Sequence, residues 1–172
     1  MKNIILSLIL LVFIGCGYRP TIDVTKETLK GNVYIEVPVD IHNIRNSILL
    51  KEALIDIFNN KFNMKIVKQK HQSDLFVSGT LASVSETQLE SVDGYSKSYR
   101  ESVSLSISYK MKNSAKKTFT VSDFYDFVVD KDSVVSQSKK DEAIKIALQN
   151  ALLGVPSKIA ISSIPTKKHE SK

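Results

Sequence analysis

A single cysteine among 172 residues excludes an intrachain disulfide, so whatever folds here is held by packing alone. No run of about 20 apolar residues occurs. The greasiest stretch, residues 4–14, is 11 residues long and too short to cross a hydrocarbon core of about 30 Å. No internal repeat and no low-complexity block interrupts the chain. Serine is abundant, yet no G-x-S-x-G nucleophile elbow is present, and no glycine-rich loop could cradle a phosphate. His42, His71 and His169 stand far apart, without carboxylate or cysteine neighbours at metal-ligand spacing. The acids Asp130 and Asp132 fall in a charged turn and read as solvated. No catalytic residue, metal ligand or cofactor site is therefore expected, and the function is expected to be binding and not catalysis.

What is present begins at the front. Lys2 precedes the apolar run, which ends in Gly15-Cys16-Gly17. A positive start, a short apolar stretch and a small residue before a cysteine are similar to a bacterial lipobox, although Phe13 stands where leucine is usual. Cys16 is then the lipidation site, carrying covalent diacylglycerol and an N-acyl chain, each buried methylene adding about 0.8 kcal/mol of membrane affinity. The expected division is a signal peptide over 1–15, a lipidated tether over 16–31, one domain over 32–162 and a flexible tail over 163–172. Removal of the leader leaves 157 residues with a formal charge of +5, enough for one real core. The modest positive excess suits an anionic partner such as lipid phosphate. Nucleic acid is not expected as the partner of an exported protein.

Residues 33–37 are a β-branched strand stopped by Pro38. Residues 44–62 predict a helix with Leu50, Leu54, Ile57, Phe58 and Phe62 on one face. A short strand over 64–68 follows, which implies a parallel pair with a crossover. Residues 74–89 predict a third strand, and Asp93-Gly94 signals a hairpin. Beyond it Tyr99, Val103, Leu105, Ile107, Tyr109 and Met111 alternate with Arg100, Ser102, Ser104, Ser106, Ser108, Lys110 and Lys112. Such alternation means a sheet with one dry face and one wet face. After a turn at Asn113-Ser114, the residues Phe119, Val121, Tyr125, Phe127 and Val129 repeat the pattern, with Asp123 as an interruption. A last helix starts near Ser138, with Ser138 and Asp141 as a loose capping box. Ile144, Ala147, Leu148, Ala151, Leu152, Val155 and Ile159 form its stripe, and Gly154 with Pro156 kinks or splits it. The expected fold is an α+β two-layer sandwich: a mixed, mostly antiparallel sheet of four to five strands with two helices packed on one face.

The strand directions predict two basic ends. Lys97, Arg100, Lys131, Lys139 and Lys140 are expected to gather at one, and Lys110, Lys112, Lys116 and Lys117 at the other. Either could hold phosphate through charge-assisted hydrogen bonds, or serve only to discourage edge pairing of strands.

Taken in order, these features resemble the LptE family of lipopolysaccharide-assembly lipoproteins of Gram-negative outer membranes. The resemblance is carried by Gly15-Cys16-Gly17-Tyr18, the strand–helix–strand order and the Asp74-Leu75 start of the third strand. Gly94 with Tyr99 five residues on, and the closing helix with its alanine and leucine stripe, complete it. It implies a lipoprotein anchored at the periplasmic face of the outer membrane, with an LptD-like β-barrel as partner. There it acts as plug, assembly aid and lipopolysaccharide-binding element. The family's basic contact positions fall here at Ser91-Val92-Asp93, which has no base, and near Gln137, beside Lys139 and Lys140. The second position points to Lys139 and Lys140, and Lys97 and Arg100 at the same end could take over the first role, so Lys97, Arg100, Lys139 and Lys140 are the expected lipopolysaccharide contacts. The rival readings are an auxiliary lipoprotein of a phospholipid or ABC-type transporter and an activator of a cell-wall synthase.

Overall fold

The computed structural model describes residues 29–92, 95–112, 114–129 and 134–163, and for residues 90–92, 95–97 and 163 the backbone alone. Cys16, the Asp93-Gly94 turn, Lys131 and His169 lie outside the described residues. The strands are β1 (Asn32–Glu36), β2 (Lys65–Ile66), β3 (Leu75–Val92), β4 (Tyr95–Met111) and β5 (Lys117–Val128). The helices are α1 (Ile44–Asp56), α2 (Gln137–Leu152) and α3 (Val155–Ser163). The sheet has five strands in the order β2-β1-β3-β4-β5. β1 is parallel to both β2 and β3, and the β3–β4 and β4–β5 pairs are antiparallel. The α+β two-layer sandwich expected from the sequence is the fold observed.

The alternation of apolar residues decides which face is covered. Val33 and Ile35 of β1, Val77 of β3, and Val103, Leu105 and Ile107 of β4 all point under the helices and are buried. Leu50, Leu54 and Phe58 of the first helical segment and Ile144, Ala147 and Leu148 of α2 meet them in one core cluster. Full burial of each such aliphatic side chain is worth about 1.5–3 kcal/mol. Gly79 lies beneath α1: a Cβ there would stand 2.8 Å from Leu54 Cδ1. Glycine thus sets how closely the helix seats on β3. Leu29, within the stretch expected to be tether, is also buried in this core.

Three local details differ from expectation. α1 passes into a wider helical turn over Ile57–Lys61, where Phe62 N–H donates to the Ile57 carbonyl at 3.2 Å. It stops at Asn63, whose φ of 54° asparagine tolerates better than most residues. The cap of α2 is Ser136 and not Ser138: its hydroxyl accepts from Lys139 N–H at 3.2 Å. Finally, β3 runs on to Val92, far past β1, which covers only Leu75–Ser78. The β3–β4 hairpin therefore projects beyond the rest of the sheet. Gly154 and Pro156 do separate α2 from α3, proline being tolerated in a helix's first turn.

Candidate functional site

The uncovered face of the hairpin and β5 is a grid of hydroxyls. Cross-strand register places Ser78, Ser108 and Thr118 in one row, Thr80, Ser106 and Thr120 in the next, and Ser83, Ser104 and Ser122 in a third. Within the grid Ser108 and Thr118 hydroxyls lie 2.8 Å apart, and Ser122 donates to Ser104 at 3.2 Å. Thr80 reaches the Ser106 carbonyl at 3.4 Å. A shallow hollow of about 390 Å³ opens on this face, lined by Ser83, Ser102, Val103, Ser104, Ser122, Asp123 and Phe124. No charged side chain belongs to the three rows. Small hydroxyl residues present donors and acceptors in any direction, so the face can meet a polar surface without fixing one partner geometry.

The grid ends at Arg100. Its Nε and NH2 donate to the two carboxylate oxygens of Asp126, directly opposite on β5, at 2.7 and 2.8 Å. The guanidinium also stacks 3.7 Å from the Phe124 ring centre. The hydrogen-bonded pair raises the Arg100 pKa and lowers that of Asp126. Phe124 is 44% exposed, so the stack is a raised apolar and cationic rim beside the serines.

Lys139 and Lys140 sit elsewhere. α2 packs on the dry face, so the sheet separates these lysines from Arg100. Lys140 Nζ pairs with Glu86 at 3.0 Å, and Lys139 with Glu142 at 3.9 Å. Arg100, Lys139 and Lys140 therefore share the end of the sheet expected from the topology but lie on opposite faces of it. Strand alternation sends Arg100 to the open face, while the helix carrying Lys139 and Lys140 crosses the other. Lys97 belongs to β4 by its backbone, and its side chain lies outside the described atoms. Arg45 on α1 likewise pairs with Asp141 of α2.

One residue at this end escaped sequence reasoning. Glu101 lies on the dry face, directly across from Glu86, and is 4% exposed. Its Oε2 has no hydrogen-bond partner among the described residues. Burial first, and the neighbouring Glu86 second, push its pKa up, while Lys140 opposes them. Strict period-two counting from Tyr99 to Val103 assigns position 101 to the buried face, and that was the available signal.

Among the described residues no cluster of three or more histidine, cysteine or acidic side chains could hold a metal ion, and no helix is long and apolar enough to cross a membrane. No match is found among curated proteins. Solved structures do match. An uncharacterized lipoprotein B from Nitrosomonas europaea shares 12% identity over 92% of this chain and 99% of its own, with a TM-score of 0.51. The rare lipoprotein B of Shewanella oneidensis shares 13% identity, covering 76% of this chain and 92% of its own, with a TM-score of 0.42. A minor lipoprotein from Acinetobacter baumannii shares 9% identity, covering 78% and 93%, with a TM-score of 0.44. At such identities the first likeness supports the fold alone. The family model for lipopolysaccharide assembly, LptE, matches residues 32–152, spanning β1 to the end of α2, and the chain belongs to that family.

Proposed function

We propose that the protein is a lipoprotein of the outer membrane that assists lipopolysaccharide assembly by binding, without catalysis. Diacylglycerol and an N-acyl chain on Cys16 hold it at the periplasmic face. Its partner is an LptD-like β-barrel, inside which the sandwich acts as plug and lipopolysaccharide-binding element. The observation that carries this reading beyond the family match is the hydroxyl grid of β3, β4 and β5. A barrel lumen is polar, and a plug wall of small neutral hydroxyls can be buried against it without stranding a charge.

Lys97, Arg100, Lys139 and Lys140 are the proposed contacts for lipid A phosphates, but they do not start equal. Arg100 and Lys140 reach a phosphate only by sharing or giving up Asp126 and Glu86. Lys139, whose carboxylate neighbour is 3.9 Å away, is the freer of the two helix lysines. The reading is tested by isolating the tagged protein from membranes in mild detergent and identifying what accompanies it. A large outer-membrane barrel in near-equal amount is the expected companion. A transporter subunit or a cell-wall synthase in its place overturns the proposal.

A further inference from the structure

The two ends of the domain treat their bases differently. At the hairpin end the bases whose side chains are described are answered from within: Arg100 by Asp126, Lys140 by Glu86, Arg45 by Asp141, Lys139 by Glu142. At the opposite end they are not. Lys70, Lys110 and Lys112 surround one hollow of about 140 Å³ beside Phe76. Lys112 also lines a second hollow of about 300 Å³ with Lys117. The exposed Lys116 precedes Lys117 in the same turn. None of these five lysines has a carboxylate within ion-pair distance among the described residues. Asp74, the carboxylate in the first hollow, already accepts from the Asn32 backbone N–H at 2.9 Å. Lys70 lies 3.8 Å over the Phe76 ring and Lys117 donates to the Ser162 carbonyl at 2.8 Å. Both contacts engage the ammonium with an uncharged group and leave its positive charge uncancelled.

The first described residues, Leu29 to Asn32, lie at this same end. Leu29 is buried there, and Asn32 and Lys112 both bond Asp74 through their backbone N–H groups. Twelve residues lie between Cys16 and Leu29, a reach of at most about 45 Å when fully extended. A lipid on Cys16 thus leaves the lysines within reach of the headgroups of whichever leaflet holds it. We propose that this end is a docking surface for the phosphates of an anionic phospholipid leaflet, with Lys70, Lys110, Lys112, Lys116 and Lys117 as its contacts. Unpaired lysines at such a surface each strengthen binding about fivefold, and the attraction fades beyond a Debye length of about 8 Å. Docking orients the sandwich with its hairpin away from the leaflet, so the anchor is a two-signal attachment. The proposal rests on the lipidated-Cys16 part of the reading above for its geometry, but its chemistry needs neither lipid on Cys16 nor a barrel.

The test uses the chain from Gly17 onward, which keeps every described core residue, since these run from Leu29 to Ala160. It is sedimented with vesicles of phosphatidylglycerol and phosphatidylcholine, with vesicles of phosphatidylcholine alone, and with lipopolysaccharide micelles. The protein is expected to bind the phosphatidylglycerol vesicles and to be released by high salt. The double variant K110E/K112E is expected to lose at least about twenty-fivefold in affinity, from about fivefold per lysine removed. The control K51E/K145E carries the same net charge on equally exposed helix positions and is expected to stay within about twofold. An equal fall in both variants assigns the effect to net charge alone and overturns the proposal. So does binding to lipopolysaccharide micelles without binding to phosphatidylglycerol vesicles. Either failure leaves the barrel-partner reading standing, because no barrel takes part.

Discussion

Replacing Glu101 with glutamine is expected to stabilise the protein at neutral pH while leaving its stability near pH 4 almost unchanged. The carboxylate is 4% exposed, faces Glu86 across the strands, and leaves Oε2 without a hydrogen-bond partner among the described residues. Its pKa is raised by burial and by Glu86 against the opposing pull of Lys140. A folded-state pKa above the unfolded value of about 4.3 means that the native state holds its proton more tightly. The stability linked to that proton is fully present below about pH 4 and is lost as pH rises through the folded value. Glutamine keeps the shape and cannot ionise, so the loss disappears. A buried polar group lacking its partner costs about 1–3 kcal/mol. Because the amide is itself polar and Lys140 already offsets part of the charge, the gain at pH 7 is about 1 kcal/mol, or roughly 3–4 °C in Tm. Denaturant titrations of both proteins at pH 4, 5.5 and 7 read the effect as a gap that widens with pH. A gap independent of pH, or a glutamine variant less stable at pH 7, refutes the assignment. Lys140→Ala supplies the converse: with its ion pair to Glu86 gone, the wild-type fall with rising pH becomes steeper.

Gly31 has a φ of +99°, and an added Cβ collides with the Asp74 carboxylate that accepts from Asn32 N–H. Gly31→Ala is therefore expected to lower stability by about 1–3 kcal/mol, read as a shift in the denaturation midpoint with unchanged slope. The Arg100–Asp126 pair makes a pH prediction of opposite sign to Glu101. Asp126 has a lowered pKa because of its hydrogen bonds from Arg100, so its contribution is present above the unfolded value of about 3.9 and lost as pH falls through the folded one. Asp126→Asn is expected to differ from wild type by a constant, small amount from pH 5 to 8, the two proteins converging only in acid, by the same titrations.

Much of the sandwich was legible because its strands are dry on one side. The run from Tyr99 to Met111 carries the period of two without a break once Glu101 is counted on the buried face, and the stripe of α2 marks what covers it. The hairpin's projection was not legible, since β3 beyond Leu81 carries few apolar residues. Its register also shifts between Leu81 and Ser83 and again near Glu90, which blurs any period. The charged end was legible only in part, for a different reason. Lysine and arginine positions can be assigned to an end of the sheet from strand direction. Whether two of them share a face depends on which side a helix crosses, and that is settled by packing between residues far apart in sequence. The pairing of Arg100 with Asp126 and of Lys140 with Glu86 spans 26 and 54 residues. No local pattern announces such partners, so bases that looked available to a ligand were already engaged.

The most direct measurement of the central claim is photo-cross-linking in intact cells, with a photoreactive residue placed at Ser106 in the middle of the hydroxyl grid and, as control, at the exposed Leu153 beyond the end of α2. If the grid is the wall of a plug, Ser106 gives one strong product whose partner is a large outer-membrane barrel. A Ser106 position that yields no product, or one with a transporter subunit or a cell-wall synthase, contradicts the account.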